Sequence, residues 1–342
     1  MVSQRNQQQD SEINEANGYF YHFTKDGPLF QNLKVDFIAA SGEFMGTVMF
    51  LLIGLGAIQA ANIISRDKPD PFAKSKETFE KILLSLYASS SMGLSLLFSC
   101  WVFFRATGAA FNPNVSFALL LVGIISPARF ILYCFAQFSA SIVACLLLRG
   151  LLPGPLDVST KLRPGTNAAQ GLFIEGFITC ALVLSVLFLA AEKHRATYLA
   201  PLGIGLTLFA CHLFAVAFTG ASMNTARSFG PAVVTTFSTE HWIYWLGPTF
   251  GSLLAVGIYA FEKRFKYWRV NQGQDTDIPS ESPDIFMQNS APNPAATKEQ
   301  AALNQAPIIQ TCPSIGHTMM KENKALRTNE LTFGKSHVEE MV

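Results

Sequence analysis

The chain has 342 residues, 50% of them hydrophobic and only 14% charged, with a net charge of +1 and a mean hydropathy of +0.28. Ordinary soluble domains carry roughly 25% charged residues, so a soluble enzyme is excluded, and the balanced charge offers no basic surface to nucleic acid. Of the six cysteines, five lie in apolar runs and none forms a Cys-x-x-Cys pair, so neither a disulfide framework nor a metal site is expected.

The polar stretch 1–34 has no apolar h-region, so no cleaved signal is expected there. A membrane span needs about 20 mostly apolar residues, and six such runs follow: 37–64, 80–104, 128–150, 170–191, 197–219 and 242–262. An even number of spans puts both termini on one side. Lys193, Arg195, Lys263, Arg264, Lys266 and Arg269 favour a cytoplasmic location for that side, while Arg66, Lys68, Lys74, Lys76, Lys161 and Arg163 oppose it. Residues 151–169 read as a Pro- and Gly-rich connecting loop. Residues 266–342, rich in Asn, Gln, Pro, Ser and Lys, read as a disordered cytoplasmic tail.

Two apolar segments are too short to span, "NPNVSFALLLVG" from Asn112 and "NTARSFGPAVV" from Asn224. Each follows a polar turn, Thr107-Gly108 or Thr219-Gly220, at the end of a span. Backbone of this kind survives at membrane depth only where protein or a water-filled cavity covers it, so both read as re-entrant half-helices. The pattern repeats: Glu43-x-x-x-Thr47 and Glu175-x-x-x-Thr179 open the two halves, and Gln137 and Pro248 sit in matching spans after each half-helix. With three spans per unit, the second unit (170–265) must insert upside down relative to the first (35–150), a transport architecture. The expected fold is all-α, with six spans and two half-helices in an inverted 3+3 repeat.

Residues in both halves carry a family likeness: "SGEFMGT", "WVFFRATGAAFNPNV", "AAQGLFIEGFIT", "NTARSFGPAVV" and "HWIYWLGPTFGS". Over about 35–262 the chain resembles the aquaporins, the major intrinsic proteins, and its wording is closest to fungal members. The family pattern is Asn-Pro-Ala twice, whereas here it is Asn112-Pro113-Asn114 and Asn224-Thr225-Ala226. Each copy departs by one residue. The resemblance implies a four-residue constriction at Met92, His212, Ala221 and Arg227, and glutamates (Glu43, Glu175) that accept hydrogen bonds from the loops carrying the Asn motifs. It also implies a homotetramer with one pore per protomer.

The residues support a matching chemistry. Half-helices meeting head-on direct positive partial charge at the pore centre, where Asn112 and Asn224, as caps, present side-chain donors. Pro113 suits a first helical position, while Thr225 regains an N–H there. Asn114 and Thr225 are therefore expected to compensate through a cross-loop hydrogen bond. Arg227 supplies a fixed cation, and His212 narrows the gap to water size. Thr47 and Thr179 are expected to bond along their helices, and Gly230-Pro231 to end the first turns of the second half-helix. Met92 stands where the family usually places an aromatic, which suggests a wider or more mobile constriction. Ser228, His212 and Tyr244-Trp245 favour the water branch over the glycerol branch. The expected function is a passive water channel, also passing hydrogen peroxide, multi-pass in the plasma membrane, with no cofactor. The alternatives are a channel for glycerol or similar neutral solutes and a poorly conducting membrane scaffold.

Overall fold

The computed structural model describes residues 33–66, 74–192, 196–265 and 267. The tails expected at 1–34 and 266–342, and the basic residues Lys68, Lys193, Arg195, Lys266 and Arg269, lie outside these residues apart from 33, 34 and 267. The apolar runs are helical over most of their length: α1 Leu33–Arg66, α2 Lys74–Thr107, α3 Pro113–Leu121, α4 Pro127–Leu151, α5 Ala168–Val186, α6 Ala200–Ala215, α7 Thr225–Val234 and α8 Ile243–Arg264. Six are long and apolar enough to cross a membrane. At 1.5 Å per residue, the 34 residues of α1 and of α2 exceed the hydrocarbon core. The large apolar side chains that face outward, such as Phe37, Phe135, Phe177 and Leu246, are what a lipid-facing surface requires.

Local sequence fixes where these helices begin. Ser126 caps α4 by accepting from the Arg129 N–H at 3.2 Å, with Pro127 at the position that needs no N–H. Asn167 and Gln170 form a reciprocal capping box at α5, with bonds of 2.8 and 2.9 Å. Boundaries depart from expectation in the second half. The last turn of the fourth span, Leu187–Ala191, is π-helical. The fifth opens with a 3₁₀ turn at Thr197–Leu199 and its α-helix ends at Ala215. Gly230-Pro231 does not end the first turns of α7, which continues to Val234 with Pro231 inside it. Proline there only removes the bond to the Arg227 carbonyl four residues back.

The two units pack as an inverted pair: α1 and α4 meet as α5 and α8 do, and α2 crosses α6 between them. The crossing is close because both helices present glycine. A Cβ on Gly93 would stand 2.5 Å from Phe209 Cβ and 2.9 Å from the Gly205 carbonyl, and one on Gly205 would stand 2.5 Å from Leu97 Cβ and 2.9 Å from the Gly93 carbonyl. Each half-helix packs on the last span of the opposite unit, α3 on α8 and α7 on α4. This exchange brings the N-termini of α3 and α7 together inside the bundle.

Candidate functional site

Each half-helix is entered through the same backbone path. Gly108, Ala109 and Phe111 have φ of 88°, 54° and 48°, and Gly220, Ala221 and Met223 have φ of 80°, 50° and 53°. Four of these six are not glycine, and each left-handed residue of that kind costs roughly 1–3 kcal/mol. A buried carboxylate holds each path in place. Glu43, fully buried, accepts from the N–H groups of Ala110 (3.0 Å) and Phe111 (2.8 Å), the Thr107 hydroxyl (2.7 Å) and the Gln137 amide (2.9 Å). Glu175 accepts from the N–H groups of Ser222 (2.9 Å) and Met223 (2.9 Å) and from the Thr219 hydroxyl (2.6 Å). Hydrogen bonds to both oxygens are what let a buried carboxylate persist in a membrane domain. Two tyrosines complete the clamps: the Tyr133 hydroxyl donates to the Thr107 carbonyl at 2.8 Å, and Tyr244 to that of Thr219 at 2.7 Å.

Asn112 and Asn224 are N-caps with φ of −154° in both. Asn112 Oδ1 accepts from the Asn114 N–H at 2.8 Å, and Asn224 Oδ1 from the N–H groups of Ala226 (3.0 Å) and Arg227 (3.2 Å). The two amides then reach across: Asn112 Nδ2 donates to the Met223 carbonyl at 2.7 Å, and Asn224 Nδ2 to that of Phe111 at 2.8 Å. The altered motif positions also meet. Asn114 Oδ1 accepts both the Thr225 N–H (3.0 Å) and its hydroxyl (2.8 Å), so the cross-loop bond expected from the two departures is present. Thr225 Oγ1 also lies 3.1 Å from the Tyr244 carbonyl, and Ser252 donates to the Asn114 carbonyl at 2.9 Å.

Beside the Asn pair lies a narrow cavity whose polar residues are Asn112, Asn224, Ser222 and Cys100, and whose remaining wall includes Phe50, Met92, Leu96, Leu182, Leu208 and residues 109–111. His212 and Arg227 are not part of this lining. They are buried beyond it, at 1% and 3% exposure, and close enough for the arginine charge to act on the imidazole. His212 Nδ1 lies 2.9 Å from the Leu208 carbonyl. A carbonyl only accepts, so that nitrogen carries the proton and Nε2 is left as a bare acceptor. Arg227 donates from Nη1 to the Val158 carbonyl at 2.8 Å. His212 Nε2 and Arg227 Nε have no partner among the described residues.

The profile of the family described as Major intrinsic protein matches residues 32–259. The chain belongs to the major intrinsic protein family. Among its relatives, Aquaporin-1 of Laccaria bicolor is 56% identical over 256 residues, covering 75% of this chain and 80% of the relative. Aquaporin-1 of Botryotinia fuckeliana is 42% identical over 262 residues, covering 75% of this chain and 54% of the relative. The X-ray structure of the aquaglyceroporin from Plasmodium falciparum shares the fold, with a TM-score of 0.53 at 22% identity, over 66% of this chain and 95% of that one. The chain is thus an integral multi-pass membrane protein of a channel family.

Within this aquaporin-type frame, Asn112, Pro113, Asn114, Asn224, Thr225 and Ala226 come together at the contact of α3 with α7. Glu43 and Glu175 stand behind them. Met92 lines the cavity with Phe50 and Leu96, and a Cβ on Gly54 would stand 2.8 Å from its sulfur. Ala221 lies in the left-handed path, fully buried. Thr179 bonds back to the Glu175 carbonyl at 2.6 Å, whereas Thr47 has no partner among the described residues, which corrects the expectation for that residue. Sequence reasoning missed the tyrosine clamps, although Tyr133 and Tyr244 both sit four residues before the repeat markers Gln137 and Pro248. It also missed a relay of hydroxyls: Thr160 donates to Ser228 at 2.8 Å, Ser228 lies 2.5 Å from Ser222, and Ser222 donates to the Asn224 carbonyl at 2.9 Å. Past the mouth of α7, burial against the rings of Phe237 and Tyr244 lowers the His241 imidazole below its ordinary value.

Proposed function

We propose that the chain is a passive water channel driven by osmotic gradients, which excludes protons and ions and also passes hydrogen peroxide. The observation that carries this reading is the pair His212 Nε2 and Arg227 Nε. One is a buried acceptor and the other a buried donor, both without a partner among the described residues, and a buried polar group without a bond costs roughly 1–3 kcal/mol. Water satisfies both at once, donating to the imidazole and accepting from the guanidinium. A triol needs more such groups and more width than an imidazole beside an arginine leaves.

Inward of that pair, water loses most of its partners along Phe50, Leu96, Leu182 and Leu208 and regains donors at the Asn pair. Each amide carries two N–H groups and the cross-bond takes one; the second meets the oxygen of the passing water. With oxygen held towards two amides and two helix N-termini, the water cannot pass a proton along the file, and the same field with Arg227 repels hydronium and other cations. Units 35–150 and 170–265 each contribute one half-helix, one glutamate and one Asn to the pore. The termini face the cytoplasm, the membrane is the plasma membrane, and four copies assemble, each with its own pore. Met92 favours a second reading, passage of a small neutral solute such as glycerol, because a flexible thioether narrows the lumen less than an aromatic ring.

Stopped-flow light scattering on proteoliposomes separates the two. Fast shrinkage in sorbitol, and in glycerol the same shrinkage without quick reswelling, is expected of the water channel. Quick reswelling in glycerol would replace it with the second reading.

A further inference from the structure

The loop between the two units is tied down at places unrelated to the Asn motifs. Gln59, on the last turns of α1 and only 2% exposed, donates from Nε2 to the Pro155 carbonyl at 2.9 Å and accepts at Oε1 from the Asp157 N–H at 2.8 Å. One turn on, Asn62 donates to the Asp157 carbonyl at 2.7 Å. Both backbone groups of Asp157 are therefore held by side chains of α1, across more than ninety residues of sequence. The next residue is Val158, whose carbonyl accepts from Arg227 Nη1. Two residues further, Thr160 enters the hydroxyl relay through Ser228 to Ser222 and the Asn224 carbonyl, and the Arg163 N–H donates to the Phe218 carbonyl at 2.9 Å.

The geometry points to Gln59 and Asn62 as positioning residues for the Arg227 guanidinium, acting through the backbone of residues 155–158. This rests on the reading of Arg227 as the filter. Neither side chain lines the cavity, so neither touches a permeating molecule there. Their amides instead fix the peptide planes on either side of Asp157. A backbone segment without helix or strand has no ladder of its own to hold it, and three side-chain bonds at Pro155 and Asp157 supply that hold. With the Val158 carbonyl fixed, Nη1 is fixed, and with it the plane of the guanidinium. Released, the loop would let the long arginine side chain sample other rotamers and open the gap beside His212.

The test uses the full chain in proteoliposomes, with glycerol and water permeability measured on the same vesicles. In Gln59→Leu, in Asn62→Leu and in the double variant, the glycerol-to-water ratio is expected to rise several-fold while water permeability per inserted protein stays within about twofold, a small change in barrier. Loss of folded protein scales both fluxes together and leaves the ratio unmoved, so the ratio reports position and not stability. Adding Gln59→Leu to Arg227→Val is expected to change the ratio no further, since the group it positions is gone. An unchanged ratio in the Gln59 and Asn62 variants alongside a raised one in Arg227→Val would overturn this inference alone, as would a further rise in the combined variant. An unchanged ratio in Arg227→Val itself would overturn the filter reading and this inference with it. Asn62→Ala gives the same comparison should Gln59→Leu fail to insert.

Discussion

Asn114 and Thr225 form one unit built from two departures. The half-helix that lacks a first-position proline has an N–H to satisfy, and the partner half-helix carries the side-chain oxygen that satisfies it, at 3.0 Å for the N–H and 2.8 Å for the hydroxyl. Removing either alone leaves a buried polar group unmatched, a cost of about 1–3 kcal/mol. Asn114→Ala strands the Thr225 N–H, and Thr225→Pro strands Asn114 Oδ1. The double variant has neither group, so its loss in thermal stability is expected to fall short of the sum of the singles by about 0.5–3 kcal/mol. Melting of the four proteins in detergent checks this, and strict additivity would mean that the two residues act apart. Such polar residues were legible because they recur at matched positions in an inverted repeat, as do Glu43 and Glu175. The partner of Arg227 was not legible, because it is a main-chain carbonyl and any residue at Val158 would supply one. Nor was the role of Gln59, whose partners lie 96 and 98 residues away along the chain.

At the scale of elements, short connections carry constraints that hydropathy does not register. Apolar runs marked all six spans, since a span is defined by its length and lack of charge. The end of α7 was misread because Gly-Pro usually stops a helix, yet at its seventh position Pro231 only removes one carbonyl's partner. The connection from α7 to α8 carries a titration of its own. His241 is packed neutral against Phe237 and Tyr244, and burial holds its folded-state value below the ordinary 6.5. The unfolded chain therefore takes up the proton first as pH falls. The stability that the neutral ring contributes is complete above pH 6.5 and is lost as pH drops from there through the folded value. Melting temperature is expected to fall more between pH 7.5 and pH 5 in the wild type than in His241→Phe. Equal slopes would place the acid sensitivity elsewhere.

Over the whole molecule, exchange of half-helices between the two units is what makes a single cavity lined by both. Neither unit closes it alone, because α3 packs on α8 and α7 on α4. The glycine crossing of α2 and α6 then sets how near the units approach. From this come the features on which the functional reading stands: two opposed helix N-termini, a narrow apolar cavity, and a buried donor and acceptor without a partner among the described residues. Flow of water in file through such a lumen avoids dissolving water in lipid and needs only the exchange of hydrogen bonds. The most direct measurement is the temperature dependence of osmotic water permeability in proteoliposomes of the full chain. The expected result is a permeability well above that of protein-free vesicles, with an activation energy close to that of self-diffusion in bulk water. A permeability and activation energy equal to those of protein-free lipid would contradict the account.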